Sequence, residues 1–200
     1  MMDVIRYNLW KRMAIGFAVG SFLLMMGGCS HLSSSQQKSR AQIDHQLISQ
    51  LEAHPPKAKQ LKILVEVSTQ TGELLANGER VATFPVSTGK QGHSTPYGNF
   101  SIYNKEKENT SSLYGSVYNA QGKMIVPYAD SRKDRVPKGG RFEGASMPYT
   151  MHFTGYCAFH EGFVPNPPSR ASHGCIRLTP EVAELLFRLC PVGTPVVVLL

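Results

Sequence analysis

One cysteine and two histidines in the last quarter of the chain have the types and spacing needed for nucleophilic catalysis. Cys175 follows His173 by two residues and His160 by fifteen. A cysteine attacks as its thiolate, and its usual pKa of about 8.5 leaves only a few per cent ionised at neutral pH. A histidine that accepts the thiol proton corrects this. On an extended backbone, residues two apart face the same side, so local geometry favours His173 as the partner.

The surroundings of these residues also suit acyl transfer. Gly174 stands between His173 and Cys175, and a glycine leaves the backbone N–H groups free to stabilise an oxyanion. His160 ends a strand-like stretch and precedes a proline-rich loop, which would let two strand ends lie side by side. A cysteine beside a histidine is more often a buried, inert pair than a catalytic one. The residue types alone leave both interpretations open.

The elements that must position these residues are mostly short strands. Ile63, Val65 and Val67 alternate with other residues at the period of a half-buried strand. Similar patterns predict strands at 81–86, 100–103, 113–118 and 149–160, and the apolar run 195–200 predicts a buried strand.

One helix is well specified directly after Cys175. Thr179 is a candidate N-cap, Pro180 suits the first helical position, and Pro191 and Gly193 end the helix. The apolar residues between them recur at i, i+3, i+4 and i+7, which predicts one buried stripe (Val182, Leu185, Leu186 and Leu189).

Several segments resemble the L,D-transpeptidase (YkuD-type) catalytic domain family. Residues 172–178, Ser-His-Gly-Cys-Ile-Arg-Leu, together with His160-Glu161-Gly162, look like its signature. The other matching segments are Pro85–Gly89, Thr95–Phe100, Met147–Tyr149 and Val192–Val196. The resemblance covers about residues 61–200. It implies a fold that is mainly β with one or two helices, a YkuD-like β-sandwich catalytic domain.

The resemblance also implies roles for the chemistry. Cys175 would be the acylated nucleophile, and His160 would be its proton acceptor, in place of the locally favoured His173. The backbone carbonyl of Glu161 would orient the imidazole, although the family more often has Gly or Ser at this position. Gly174 and Cys175 would help form the oxyanion hole.

Further residues would surround this centre. Ser172 and His173 would line the site, and Tyr149 would border the donor pocket. Arg177 stands where other family members have Asn or Arg. It would either bind a substrate carboxylate, a task that suits guanidinium, or serve a structural hydrogen-bonding role, and both alternatives stay open.

The function implied is that of a cysteine-dependent L,D-transpeptidase acting on peptidoglycan stem peptides. The nucleophile would attack the carbonyl at the L-centre of the third residue, a diamino acid, and release D-alanine. The thioester would pass to an amine, forming 3–3 crosslinks or related wall linkages. The alternatives are a hydrolase on the same scaffold (an L,D-carboxypeptidase or wall-linkage amidase) and a catalytically inactive wall-binding lipoprotein. We expect no cofactor, because the base and oxyanion hole supply the activation.

The amino-terminal residues have the composition of an export signal. In residues 1–28, a basic start precedes an apolar run at 13–26, as in a secretory signal peptide. Met26-Gly27-Gly28-Cys29 resembles the lipobox of bacterial lipoproteins, in which Cys29 becomes the lipidated first residue. An ordinary cleaved signal and a retained anchor are the alternatives. Because Ser30 is not aspartate, the resemblance implies a periplasmic protein anchored in the outer membrane.

Composition bounds the remaining features. Residues 29–60 are rich in Ser, Gln and Lys, which predicts a polar tether with a possible helix at 42–53. The net charge is +7, which favours an anionic partner such as the cell wall. Export excludes nucleic acid, and we expect a monomer.

The four cysteines add one further constraint. With Cys29 lipidated, three remain, and an odd number in an exported chain suggests a free thiol. Cys157 and Cys190 would either pair or stay as buried thiols. The chain has no CxxC motif, so we expect no metal site.

Overall fold

The structure is a computed structural model that describes residues 41–200. The predicted signal peptide at 1–28, the lipidation site Cys29 and the first part of the tether lie outside the described residues. The predicted mainly β fold with one or two helices is confirmed, and residues 41–200 contain two α-helices. The strands are β1 (Gln42–Ile43), β2 (Leu61–Glu66), β3 (Thr71–Ala76), β4 (Glu79–Pro85), β5 (Gly98–Ser101), β6 (Asn104–Glu106), β7 (Thr110–Tyr118), β8 (Met124–Asp130), β9 (Arg141–Ser146), β10 (Thr150–His152), β11 (Ala158–Glu161), β12 (Ile176–Leu178) and β13 (Pro195–Leu199). The helices are α1 (His45–Ala53) and α2 (Pro180–Leu189), with a 3-10 turn at Ala58–Gln60.

A six-stranded sheet in the order β1-β4-β3-β2-β13-β5 forms one side of the core. The predicted alternation is confirmed in β2, where Leu61, Ile63 and Val65 are buried. β13 pairs in parallel with β2 and antiparallel with β5. It is therefore a central strand, which accounts for its nearly continuous apolar sequence.

A four-stranded sheet in the order β12-β11-β10-β6 carries the candidate site. β11 pairs in parallel with β12 and antiparallel with β10. The ring of Phe153 lies 5.5 Å from that of Phe100 in β5 and 5.0 Å from that of Phe159 in β11. Phe153 and Phe159 are buried and Phe100 is partly buried, and these rings join the two sheets into one hydrophobic core.

A three-stranded sheet in the order β8-β7-β9 spans residues 110–146. The sequence predicts only the segment 113–118, which lies in β7, and misses β8 and β9. In these two strands Ala129 alone is fully buried. Because the strands bury so little, their apolar residues do not alternate strongly enough to predict them.

Helix α2 confirms the predicted helix, and its apolar stripe is buried as expected. Thr179 occupies the N-cap position, but its side chain makes no capping hydrogen bond, which differs from the prediction. Pro180 at the first helical position has no backbone N–H. The start of the helix therefore has one fewer N–H group that lacks an acceptor within the helix. At the other end, Lys105 donates to the carbonyls of Phe187 and Cys190.

The described part of the predicted tether folds onto the domain. β1 pairs with β4, and α1 begins at His45 rather than at Gln42, because the Asp44 side chain accepts from the Leu47 N–H at 3.0 Å. Ile48 and Leu51 of α1 are buried in the core. The apolar spacing predicts this helix correctly. The polar residues on either side of it predicted a tether, and its packing against the domain was therefore not predicted. No helix among residues 41–200 has the length and apolar character to span a bilayer.

Candidate active site

The segment Ser172–Cys175 turns sharply into β12, and hydrogen bonds of its own Ser172 side chain stabilise the turn. The Ser172 hydroxyl donates to the Cys175 carbonyl and accepts from the Gly174 N–H at 3.1 Å. Gly174 has a φ of 121°, a conformation that residues with a Cβ rarely adopt. The Ser-x-Gly-Cys spacing therefore encodes one local turn.

The register of β11 and β12 brings three predicted site residues to one face of the sheet. His160 pairs with Arg177, and Phe159 pairs with Ile176. Cys175 is two residues before Arg177, so Cys175, Arg177 and His160 project to the same side. The Ala158 backbone N–H lies close enough to the Cys175 thiol to lower its pKa, which places the thiol beside β11. Diagonal positions of this kind lie within reach of an aromatic side chain.

His160 is oriented for proton transfer by its neighbour. It is 8% exposed, and its Nδ1 lies 2.7 Å from the Glu161 carbonyl oxygen. A carbonyl only accepts, so Nδ1 donates and Nε2 carries the free lone pair. Burial lowers the pKa of His160 to about 4, the Glu161 carbonyl opposes this, and the Arg177 charge lowers it further. The imidazole is therefore neutral at pH 7 and able to accept a proton.

The thiol of Cys175 is protonated in the free protein. Burial raises its pKa, while the hydrogen bond from Ala158 and the charge of Arg177 act in the opposite direction. Burial therefore favours a neutral thiol and a neutral imidazole over an ion pair. The thiol proton must move when a substrate is attacked.

The position of the His173 side chain is defined by its contacts in an aromatic cluster and not by a contact with the Cys175 thiol. Its ring stacks on Tyr114 at 4.2 Å and meets His93 edge-on at 4.8 Å. Burial lowers its pKa, and the charges of Lys90 and other cations lower it further. Tyr114 belongs to β7, so the three-stranded sheet contacts the site through this ring.

Segments that the sequence matched without a role prove to support the nucleophile. Ser87 forms a β-bridge with Arg177, and Gly89 forms one with Ser172. The Thr95 hydroxyl donates to the Gly174 carbonyl at 2.7 Å and accepts from the Gly89 N–H at 2.9 Å. A Cβ on Gly89 would lie 1.8 Å from a backbone oxygen of the same loop. The resemblance of Pro85–Gly89 and Thr95–Phe100 to the family was the signal that identified these residues.

The backbone N–H groups of Gly174 and Cys175, the two predicted oxyanion donors, differ in whether a side chain already accepts from them. The Gly174 N–H is engaged by the Ser172 hydroxyl. No side chain among residues 41–200 accepts from the Cys175 N–H, so this group is the donor that remains for an oxyanion.

The remaining predicted residues are Arg177, Tyr149 and Glu161. Arg177 is half-buried, and its alkyl chain lies against Gly162, where a Cβ would come within 3.1 Å. Burial lowers the pKa of its guanidinium, and no hydrogen-bond partner within the described part of the chain offsets this. Tyr149 and Glu161 line a cavity of about 680 Å³.

The other two thiols of the described chain are buried. Cys157 and Cys190 are buried and unpaired, and burial raises the pKa of each to about 12. Within residues 41–200, no three His, Cys, Asp or Glu side chains converge as metal ligands do.

Comparison with known proteins gives the site a family context. The family model of the YkuD L,D-transpeptidase catalytic domain matches residues 60–198. L,D-transpeptidase 1 of Mycobacterium tuberculosis is 27% identical over 136 residues, which are 66% of this chain and 48% of that protein. The chain thus spans about half the length of the curated relatives it matches.

Solved structures agree with the fold. One L,D-transpeptidase in complex with imipenem is 26% identical, with a TM-score of 0.53 over 70% of this chain and 59% of its own. An L,D-transpeptidase from Mycobacterium smegmatis is 21% identical, with a TM-score of 0.54 over the same shares, and supports the fold alone.

Proposed function

Because the chain belongs to the L,D-transpeptidase catalytic domain family, we propose that it is a cysteine-dependent L,D-transpeptidase acting on peptidoglycan stem peptides. The observation that carries the proposal is the shared face of Cys175 and His160. There the His160 ring is held by the Glu161 carbonyl with Nε2 free.

The first stage is acylation of the thiol. The Cys175 sulfur attacks the carbonyl of the third residue of a tetrapeptide stem, and His160 Nε2 takes the thiol proton. The C–N bond to the terminal D-alanine breaks, and His160 returns the proton to the leaving amine. The Cys175 N–H stabilises the oxyanion during this step.

The second stage transfers the acyl group. An amine attacks the thioester, the C–S bond breaks, and the amine proton passes through His160 to the sulfur. An amine from another stem gives a 3–3 crosslink or a related wall linkage. Water in place of the amine would give hydrolysis.

Arg177 has the properties of a substrate-binding residue. It lies on the face of Cys175 and His160, and its guanidinium has no hydrogen-bond partner within residues 41–200. A guanidinium without a structural partner suits bidentate binding of a carboxylate. We assign it to a carboxylate of the stem peptide.

The experiment that tests this function is mass spectrometry of the purified full-length protein with a stem tetrapeptide, with and without an amine acceptor. We expect a thioester on the peptide that contains Cys175, release of D-alanine, and an amide product only when the amine is present. Imipenem, which a related protein binds in a solved structure, should label the same peptide. Free acid in place of amide would identify a hydrolase, and failure to react with either reagent would indicate an inactive binding protein.

The cellular location of the protein is inferred from its amino-acid sequence alone. We propose that residues 1–28 direct export and that lipidated Cys29 anchors the protein at the periplasmic face of the outer membrane. Intact mass of the protein from the membrane fraction is expected to show a diacyl or triacyl chain that begins at residue 29. Recovery of unmodified protein from the soluble periplasm would contradict the anchor.

A further inference from the structure

The three-stranded sheet, with the connections inside it, carries the whole net charge of the described chain. Residues 110–146 contain six lysines and arginines against three acidic residues. Residues 41–109 and 147–200 together contain ten basic and ten acidic residues. The six basic side chains of the sheet are all exposed (Lys123, Arg132, Lys133, Arg135, Lys138 and Arg141). The excess of positive charge is therefore confined to one part of the surface.

The acidic residues of this segment are already engaged, which leaves most of its cations for a partner. Asp130 binds the Arg132 guanidinium through both oxygens, at 2.8 and 2.7 Å. Asp134 accepts from the Asp130 N–H, and Glu143 pairs with Arg141. The other four cations form what we call the cation row: Lys123, Lys133, Arg135 and Lys138. Within residues 41–200, its one ion pair is a 4.0 Å contact of Lys133 with the carboxylate that Arg132 already binds.

The cation row follows the length of strand β7. The connection from β8 to β9 starts where the Ser131 N–H donates to the Leu113 carbonyl, and it ends where Arg141 pairs with Tyr118. These two positions are five residues apart on β7, which corresponds to about 17 Å. Lys123 lies in the turn just after Tyr118. The charges are thus spread over a length that suits an extended partner better than a single small anion.

A stacked ring joins this sheet to the catalytic face. Tyr114 of β7 stacks on His173 at 4.2 Å. The Arg132 guanidinium donates to the Tyr114 hydroxyl at 3.1 Å and to Asp130 at 2.7 Å, so it fixes the ring. Lys133 directly follows Arg132. The cation row therefore starts beside the candidate active site and leads away from it.

The proposed substrate has the charge and the length to reach the cation row. Each tetrapeptide stem ends in a free carboxylate, so a wall strand that carries many stems is an anionic polymer. When one stem of a strand lies at Cys175, the neighbouring stems extend beyond the catalytic face. Binding of these further carboxylates adds affinity for the polymer that a single stem cannot gain.

We propose that the cation row is a docking surface for the wall polymer outside the catalytic centre. It binds the carboxylates of stems other than the one under attack. This inference rests on the proposed function, which identifies the polymer. Since the cations are exposed, the affinity that they supply falls as the salt concentration rises.

The test is co-sedimentation of purified full-length Cys175→Ala protein with peptidoglycan sacculi, which measures binding without a thioester. Replacing Lys123, Lys133, Arg135 and Lys138 together with glutamine should weaken binding at low salt by about tenfold, because the small factors of four exposed ion pairs multiply. High salt should remove the difference. With Cys175 present, the same four substitutions should leave kcat/KM for a soluble tetrapeptide unchanged.

A matched control separates the cation row from net charge. Replacing Lys57, Lys59, Lys62 and Arg80 with glutamine makes the same charge change at exposed positions outside residues 110–146, and we expect this variant to bind sacculi as the unsubstituted protein does. Thermal unfolding of each variant checks the fold. Vesicles of phosphatidylglycerol and of phosphatidylcholine, compared with each other, measure attraction to an anionic membrane independently of the lipid anchor.

Three outcomes would overturn the inference. An equal loss of binding in the control variant would reduce the effect to net charge. A fall in kcat/KM for the soluble tetrapeptide would place the cation row within the site for a single stem. A loss of binding to phosphatidylglycerol vesicles, with sacculus binding unchanged, would identify a membrane as the partner. By contrast, the absence of thioester in wild type, with sacculus binding still dependent on the row, would contradict the proposed function alone.

Discussion

Replacing Cys175 with alanine is expected to abolish thioester formation with a stem tetrapeptide and to leave the fold intact. The thiol is the group that the Ser172 turn presents on the catalytic face, beside the Ala158 N–H. The other two thiols of the described chain are buried and have pKa values of about 12, so neither can replace it. Intact mass after incubation with donor, together with D-alanine release, measures the loss.

The control for this variant is Cys190→Ala, which removes a buried thiol at the end of α2. We expect it to form the thioester, because Cys190 has no contact with the catalytic face. Thermal unfolding of Cys175→Ala should be cooperative, as in wild type. An acyl adduct on Cys175→Ala would rule out Cys175 as the nucleophile.

The second large effect is expected from His160→Ala, which should lower kcat/KM for acylation by about 10²- to 10⁴-fold, the usual contribution of a general base. His173→Ala should have a smaller effect, because the His173 ring is held between Tyr114 and His93. Donor acylation rates of the two variants under the same conditions measure the difference. If His173→Ala were the more damaging of the two, the base would be His173, as the local spacing alone suggests.

The pH dependence of kcat/KM tests the role of His160 independently. His160 has a pKa of about 4 instead of its ordinary 6.5, so it stays a neutral base as the pH falls through 6.5. The acid limb of kcat/KM is therefore expected near pH 4, and His160→Ala should lose it. Between these two pH values the unfolded chain binds a proton that the folded chain does not, so stability also falls as the pH falls. An acid limb near 6.5 in wild type would contradict the buried neutral imidazole.

Sequence predicted the parts of the fold that bury a regular pattern. β2 alternates, α2 carries one apolar stripe, and both appear where expected because each presents a single face to the core. β8 and β9 could not be predicted, because an exposed sheet requires no apolar periodicity. The docking of α1 was missed for a related reason, since only Ile48 and Leu51 are buried on an otherwise polar helix.

The candidate site also combines features that the sequence predicts with features that it does not. The segment 172–175 is local, and its residue types already indicated a candidate nucleophile, but the extended backbone assumed for it differs from the turn that the structure shows. The choice between His160 and His173 depends on the pairing of β11 with β12, which is a long-range contact that no local spacing contains. The support from Thr95 reaches Gly174 across 79 residues of sequence, and only the family resemblance pointed to it.

The position of β13 has a consequence for how the protein is made. This strand joins β2 to β5, yet both other sheets come before it in the order of synthesis. Until β13 emerges, β2 and β5 each present an open edge that other chains can pair with. Pairing of such distant segments is also slow to form. The largest sheet thus closes after the strands that hold the nucleophile have been made, and a chain interrupted before residue 195 would carry those strands on an incomplete and aggregation-prone scaffold.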